Sequence, residues 1–243
     1  MTNYRIQHVE QIGPCHLYLG DCLEILPHVE KADLGCMDPP YSLTSGGNAT
    51  QVMGGLFAQE EYDNSGKLMD VVPWGEMSGP IYRALKADAD CYIMANDKNI
   101  WAAHAAFINA GFDFHNLLTW DKVRATRNRW YMKNLEFTLY LWKGAADKRG
   151  INDCGSKQLF LYTDNAERTT GHATEKPVEL MRHYIENSSQ PGELVLDAFM
   201  GSGTTMVACV ESGRRGIGIE KDKKWFDVAC QRVQDAVDMQ VAA

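Results

Sequence analysis

Four consecutive residues, Asp38-Pro39-Pro40-Tyr41, offer the most specific chemistry in this chain. They follow an apolar segment, residues 32–37, which predicts a short buried strand. Because proline lacks the N–H that a sheet ladder needs, the chain must turn after this strand. The turn then presents a carboxylate, fixed carbonyl groups and an aromatic ring at a strand end, which is where open α/β sheets bind ligands.

These groups suit the exocyclic amino group of a flat nucleobase. Such a nitrogen is a poor nucleophile because its lone pair is delocalised into the ring, and it has two N–H donors. The Asp38 carboxylate and a turn carbonyl can accept from both donors, which frees the lone pair for an electrophile, while the Tyr41 ring can stack on the base. A turn that only opens a loop has the same composition, so the tetrapeptide alone leaves both interpretations open.

A second segment has the pattern of a nucleotide-binding turn. Residues 193–197 predict a strand, residues 201–205 (Gly-Ser-Gly-Thr-Thr) a glycine turn before an apolar helix, and residues 216–220 the next strand, which ends in an acid. Glycines let the backbone approach a ligand, and the acid can hold ribose hydroxyls. The third glycine of a dinucleotide fingerprint is absent, which favours a nucleoside with a small charged tail over a pyrophosphate cofactor.

The strongest local charge lies between two predicted strands, residues 114–120 and 134–142. Residues 122–133 contain five basic residues, two aromatics and no acid. Phosphate contacts with base stacking would explain this bias in a chain of net charge −8, and a solvated hairpin is the alternative. The residues predicted to contact nucleic acid are Lys122, Arg124, Arg127, Arg129, Tyr131 and Lys133.

Composition limits the class of protein. A length of 243 residues favours one domain with a sizeable core, and 45% hydrophobic with 23% charged residues is ordinary for a globular chain. No apolar run reaches the roughly 18 residues that span a bilayer, and the first residues lack a signal-peptide core, so we expect a cytoplasmic chain. The net charge of −8 argues against a protein that coats nucleic acid.

The cysteine pattern predicts reduced thiols. The number is odd, the positions are scattered and no Cys-x-x-Cys pair occurs, which argues against a disulfide framework and a metal site. The seven positions are Cys15, Cys22, Cys36, Cys91, Cys154, Cys209 and Cys230.

The remaining elements alternate between strands and helices, which predicts an α/β fold. We predict further strands at residues 15–19 and 89–95, and helices at 22–29, 71–85 with an interruption at Pro80, 98–110, 178–186, 206–211 and 223–239. Asp21 is predicted to cap the first helix. The glycine-rich residues 42–66 predict a mobile substrate loop, with a disordered insertion as the alternative.

The motifs and their order resemble those of the S-adenosylmethionine-dependent amino-methyltransferases of DNA. Residues 38–41 precede residues 197–205, as in the β-class, which is a circular permutation of the commoner order. Residues 20–24, 120–122, 136–143 and 172–177 are also similar to segments of that family, with Ala173 where proline is usual. The resemblance implies a Rossmann-like methyltransferase fold over residues 1–243 in one domain. Its sheet would be mixed, mostly parallel and seven-stranded, with helices on both faces, and residues 122–171 would contact and recognise DNA.

The resemblance also implies a site for S-adenosylmethionine. Phe199 and the turn would wrap the methionine end, Lys176 would neutralise its carboxylate, and Asp197 would lie near its amino group. Glu220 would accept from the ribose hydroxyls, and Asp21 from the adenine amino group. The full implied set is Asp21, Cys22, Asp38, Lys176, Asp197, Phe199, Gly201, Ser202, Gly203, Thr204, Thr205 and Glu220.

The implied activity is site-specific methylation of adenine N6 in double-stranded DNA, since Asp at the first motif position resembles the adenine-modifying members. The target base must leave the duplex, because its amino group is otherwise paired. Asp38 and the Pro39 carbonyl would hold the amino group in line with the sulfonium methyl, Pro40 would stiffen the turn, and Tyr41 would stack on the base.

Several alternatives remain open. One is the cytosine N4 amino group. Another is an RNA or protein methyltransferase, although those usually place the glycine-rich motif first. A binding module that keeps the fold without catalysis is a non-enzymatic alternative, and a nicotinamide dehydrogenase is disfavoured by the missing third glycine. The target sequence, a cognate nuclease and the choice between monomer and homodimer are left open.

Overall fold

The structure, a computed structural model, describes residues 6–41, 71–123, 131–144, 150–162 and 175–242, which form nine strands and six α-helices. The strands are β1 (His8–Ile12), β2 (Cys15–Leu19), β3 (Ala32–Met37), β4 (Leu85–Ala95), β5 (Asp113–Asp121), β6 (Leu135–Trp142), β7 (Leu159–Leu161), β8 (Leu194–Asp197) and β9 (Arg215–Glu220). The helices are α1 (Cys22–Ile25), α2 (Trp74–Ala84), α3 (Ile100–Asn109), α4 (Val178–Ser188), α5 (Thr204–Glu211) and α6 (Lys223–Ala242). The predicted substrate loop lies outside the described residues.

All strands belong to one sheet of order β1-β2-β9-β8-β3-β4-β6-β5-β7. The central strands from β2 to β4 run parallel, β6 runs antiparallel to both of its neighbours, and β1 is antiparallel to β2. The prediction of a mixed, mostly parallel α/β sheet is confirmed.

The predicted number of seven strands is wrong, because both edge strands escape sequence analysis. β1 pairs with β2 and is mostly exposed, so it lacks a clear apolar face. β7 has only three residues and pairs with β5, and such a segment is too short for an alternation of polar and apolar residues to be recognised.

Helices cover both faces of the sheet, because successive side chains of β4 point alternately into the two cores. Tyr92 and Met94 belong to the core beneath α4, α5 and α6, whereas Cys91, Ile93 and Ala95 belong to the core beneath α1, α2 and α3. A strand buried on both faces must be apolar throughout, which is why the central strands read as continuous hydrophobic segments.

The parallel strands β3 and β8 are followed by strands on opposite sides of the sheet. From β3 the chain continues to β4 on one side of the sheet, and from β8 it continues through α5 to β9 on the other side. Since β3 and β8 are neighbours, a crevice opens at their carboxyl ends, where parallel sheets of this kind bind ligands.

Two helix predictions need correction. α2 continues through Pro80 without a break, because a proline removes a single intrahelical hydrogen bond and the rest of the helix is held by its packed face, including Met77 and Ile81. The first helix is shorter than predicted, since α1 ends at Ile25 and one turn of 3₁₀ helix follows that contains Pro27.

All seven cysteines are free thiols. Cys154 is exposed, Cys230 is half-buried and the other five are buried. Burial raises the pKa of Cys15 to about 12 and, more weakly, that of Cys230 to about 11. Among the helices described here, none combines the length and apolar character needed to cross a bilayer.

Candidate active site

Four acidic side chains lie in a row at the carboxyl edge of the parallel strands. Asp21 follows β2, Glu220 ends β9, Asp197 ends β8 and Asp38 follows β3. The strand order β2-β9-β8-β3 therefore places them side by side, although they are far apart in the sequence. Asp197 and Asp38 flank the crevice at the carboxyl ends of the neighbouring strands β8 and β3.

The glycine turn between β8 and α5 lies against the end of β9. The backbone N–H of Gly201 donates to Oε2 of Glu220 at 3.0 Å, and that of Met200 donates to the carbonyl of Ile219 at 2.9 Å. Gly203 has φ of +85°, and a Cβ placed there would lie 2.9 Å from the Cβ of Ala229 on α6. Only glycine meets both the conformation and the space at this position.

Asp197 is buried at the base of the crevice. Its Oδ1 accepts from the backbone N–H of Phe199 at 2.9 Å. Burial raises the pKa of Asp197 to about 7, against the hydrogen bonds from Thr205 and Phe199, which lower it. A cationic group bound beside Asp197 would favour its ionised form.

Asp21 and Glu220 lie at the carboxyl ends of β2 and β9, beside Asp197. Oδ1 of Asp21 accepts from the N–H of Leu23 at 2.9 Å, so the predicted cap of the first helix is confirmed, and Oδ2 lies 3.9 Å from Nζ of Lys221. Glu220 accepts from the N–H of Asp222 at 2.7 Å. Burial raises the pKa of Glu220, although the backbone N–H groups around it act in the opposite direction.

Asp38 has two unlike oxygens. Oδ2 accepts from Nζ of Lys176 at 2.5 Å, whereas Oδ1 is buried without a hydrogen-bond partner in the part of the chain that the structure describes. Burial raises the pKa of Asp38, and the Lys176 charge opposes this shift. The half-buried ring of Tyr41 stacks on Trp74, the first residue of α2, with 6.3 Å between ring centroids and 22° between planes.

Lys176 contacts a second carboxylate that sequence analysis missed. Its Nζ lies 3.3 Å from Oε2 of Glu136, near the start of β6, and Oε1 of Glu136 lies 3.3 Å from Nζ of Lys122. Burial would raise the pKa of Glu136, but the two lysines outweigh this effect and lower it. The sequence contained one indication of a special role, since Glu136 is the only charged residue of β6.

Lys176 was expected to face the cofactor carboxylate, and the structure places its ammonium between two protein carboxylates. The side chain is only 7% exposed. The adjacent Glu175 points to the other part of the site, where Oε1 lies 2.7 Å from Nη2 of Arg232 on α6. Nη1 of Arg232 donates to the carbonyl and hydroxyl of Ser202 at 2.8 and 3.0 Å. Nothing in the sequence of α6 distinguished this arginine from a solvated charge.

The other residues implied for the cofactor lie close to these contacts. Thr204 accepts from Arg232 at 3.2 Å, and Thr205 is buried beside Asp197. Phe199 is half-buried and packs on the apolar core, and Cys22 is buried, which raises its pKa to about 12. Residues 172–174 lie outside the described residues.

The predicted nucleic-acid contacts are only partly described. Lys122 points inward to Glu136 with 22% of its side chain exposed, Tyr131 is 97% exposed, and Nζ of Lys133 lies 3.2 Å from Oδ1 of Asp97. Arg124, Arg127 and Arg129 lie outside the described residues. Lys122 is therefore a member of the buried charge group, and its role in binding nucleic acid stays a prediction.

Comparisons with known proteins identify the family of this chain. A family model described as DNA methylase (N6_N4_Mtase) matches residues 32–231. The chain is 28% identical over 242 residues to the type II methyltransferase M.HinfI of Haemophilus influenzae, covering 89% of this chain and 67% of that protein. It is 28% identical over 228 residues to the type II methyltransferase M2.DpnII of Streptococcus pneumoniae, covering 84% and 83%.

A solved structure shares both the fold and part of the sequence. The crystal structure of the M1.HpyAVI–SAM complex superposes with a TM-score of 0.70 at 26% sequence identity. The superposition covers 90% of this chain and 98% of that one.

Proposed function

The chain belongs to the DNA methylase family of N6 and N4 amino-methyltransferases, and from this premise we propose that it methylates adenine N6 at specific sites in double-stranded DNA. S-adenosylmethionine is its cofactor. The observation that best supports the choice of reaction is the Asp38 carboxylate, which has one oxygen fixed by Lys176 and one buried oxygen with no partner among the described residues. Such an oxygen is an acceptor prepared for an N–H donor of a substrate.

The cofactor is proposed to lie across the glycine turn. The turn, which the N–H of Gly201 holds against Glu220, would carry the methionine part, with Asp197 beside the amino group. Its ribose and adenine would lie toward Glu220 and Asp21, which end neighbouring strands. The sulfonium methyl would then lie toward Asp38, which follows the neighbouring strand β3.

The target base is proposed to enter the crevice after it leaves the duplex. Asp38 Oδ1 accepts one N–H of the amino group and the Pro39 carbonyl accepts the other, while Tyr41 stacks on the base. Bound S-adenosylmethionine would supply the methyl group, which the nitrogen lone pair would take as the S–C bond breaks and its electrons return to sulfur. One N–H proton then leaves, and Oδ1 of Asp38 is the adjacent acceptor. The rate gain comes from orientation and from fixed charges in a dry site.

The proposal is tested by the transfer of labelled methyl from S-adenosylmethionine to unmodified duplex DNA, followed by nucleoside analysis. We expect N6-methyladenine. N4-methylcytosine would keep the mechanism and change the base, which the family model also allows. Label in RNA or protein but not in DNA would overturn the proposed substrate.

Contact of the basic segment with DNA is a separate part of the proposal. Reversing the charges of Arg127 and Arg129 should weaken DNA binding and reduce the slope of log affinity against log salt by about 2. Reversing the exposed Arg182, which pairs with Glu211, is the matched control. An unchanged salt slope in the first variant would contradict the assignment.

A further inference from the structure

Four alternating charges link β5 and β6 to the catalytic turn. Nζ of Lys122 lies 3.3 Å from Glu136, whose other oxygen lies 3.3 Å from Nζ of Lys176, which in turn bonds Oδ2 of Asp38 at 2.5 Å. We call these residues the charge row. At most 22% of any of these side chains is exposed. Their charges cancel in sum, so each ion is compensated within the protein.

The partners of Lys176 differ from those that a cofactor anchor would need. An ammonium that waits for a ligand carboxylate would face the ligand site, whereas this one lies between two protein carboxylates. A different residue connects this segment to the cofactor part of the site. The adjacent Glu175 forms an ion pair with Arg232, and Arg232 donates to the carbonyl of Ser202 in the glycine turn. Glu175 therefore contacts the cofactor part of the site, and Lys176 contacts the catalytic part.

From this geometry we infer that Glu136 is a positioning residue, which acts through Lys176 to hold one oxygen of Asp38 and leave the other free for the target amino group. A carboxylate beside a mobile ammonium can rotate and give it either oxygen. Glu136 contacts the same ammonium through Oε2 at 3.3 Å and so holds it at Oδ2 of Asp38. The inference rests on the proposed role of Asp38.

Electrostatics gives this arrangement a distinctive signature. The charged and titratable groups that influence Asp38 or are influenced by it are Lys176, Glu136, Asp197 and Tyr41. The positive charge of Lys176 lowers the pKa of Asp38, and the negative charge of Glu136 raises it. Removing one or the other should therefore shift the Asp38 titration in opposite directions.

The experiment compares Glu136→Gln and Lys176→Gln with the wild-type chain. Both replacements remove a charge and keep hydrogen-bonding capacity. We expect Glu136→Gln to lower kcat by about 10- to 100-fold, because the acceptor oxygen is less well placed, and to leave the Kd of S-adenosylmethionine within about twofold. Glu30→Gln is the matched control, because it removes an exposed glutamate that pairs with Arg215.

The pH profile of kcat distinguishes positioning from packing. Activity should fall as the pH drops through the pKa of Asp38. The acid limb should move to lower pH in Glu136→Gln and to higher pH in Lys176→Gln, each by on the order of 0.5–1 unit. If Glu136 only filled space, its replacement would change kcat, but the acid limbs of the two variants would not move in opposite directions.

The titration of Asp38 can also be measured by NMR without any methyl transfer, so this test does not depend on the identity of the substrate. Aspartate labelled with ¹³C at the side-chain carboxyl gives NMR titration curves, and the spectrum of Asp38→Asn identifies the Asp38 signal. Opposite shifts in the two variants support the inference, even if the wild-type chain were to methylate no DNA and the proposed function failed. Unshifted curves, or a loss of cofactor affinity at constant kcat, would overturn it. Thermal melting of each variant confirms that folded protein is compared.

Discussion

The two parts of the crevice are built in different ways. The cofactor part consists of the glycine turn and Glu220, which come from one continuous β8–α5–β9 segment and are held largely by backbone N–H groups. The catalytic part consists of the charge row, whose members come from distant segments and are held by ion pairs between side chains.

This difference predicts different weaknesses. A backbone turn tolerates the loss of nearby charges but cannot accept extra atoms, because its shape is the binding surface. A set of buried ion pairs tolerates small changes of shape but cannot lose one charge, because the remaining charge is then buried without compensation. Four substitutions test the contrast, in order of decreasing expected effect.

The largest effect is expected for Asp38→Ala. Transfer should fall by at least about 1,000-fold, since the acceptor for the target amino group is lost, while calorimetric affinity for S-adenosylmethionine should stay within a few-fold. Normal transfer by this variant would remove Asp38 from the mechanism. Equal loss of cofactor affinity would mean that the two parts are not separable.

Lys176→Met should cost about 3–4 kcal/mol of unfolding free energy, because it leaves Asp38 and Glu136 buried without their shared cation. The double variant Lys176→Met with Glu136→Gln should recover part of this loss, since the repulsion between the Asp38 and Glu136 carboxylates is gone. Denaturant unfolding measures both. Recovered stability with absent transfer would separate the catalytic need for these charges from their structural role.

Gly203→Ala should cost about 2–3 kcal/mol and weaken cofactor binding, because the new Cβ meets Ala229 and the backbone is left-handed. Adding Ala229→Gly removes the contact with the Ala229 Cβ but leaves its Cα 3.0 Å from the new Cβ and the strained φ unchanged, so any rescue should be small. Gly192→Ala has a similar φ of +85° with nothing within 4 Å of the new Cβ, and serves as the control for strain alone. Equal losses in the two single variants would show that close packing at Gly203 is unimportant.

The smallest cost is expected for a change at Asp197, a buried acid of the cofactor part. Asp197 has its pKa raised from 3.8 to about 7, so ionisation costs the folded state more than the unfolded state. The wild-type chain should therefore lose stability through this group as the pH rises from about 4 to 7, and no further above that range. Asp197→Asn does not titrate, so its advantage in unfolding free energy over the wild-type chain should grow over the same interval and then level off, as denaturant unfolding at each pH would show. A difference independent of pH would mean that Asp197 ionises normally.

The same contrast explains what could be predicted from the sequence. The glycine turn, Glu220 and the Asp38 turn are local patterns, so their types and spacing already predicted strand ends and ligand contacts. Lys176 and Asp38 are separated by 138 positions, and no local pattern encodes such a pairing. Lys176 and Asp38 were therefore each identified as functional residues, while their pairing was not.

The missed residues share a physical reason. Glu136 and Arg232 look like ordinary charges of a strand and a helix, and only the tertiary fold shows that they point inward. The edge strands β1 and β7 escaped for a related reason, since hydrogen bonding to a neighbour, rather than a buried apolar face, defines them. Sequence patterns report burial well and long-range pairing poorly.

The distribution of thiols makes the protein suitable for specific labelling. Cys154 is the single exposed cysteine of the seven, and burial suppresses thiolate formation at Cys15, Cys22 and Cys230. The segment around Cys154 is hydrogen-bonded to the C-terminal end of α4, at the edge of the sheet opposite the crevice. A maleimide fluorophore should therefore attach at one position and report DNA association by anisotropy, with no need for a cysteine-free background.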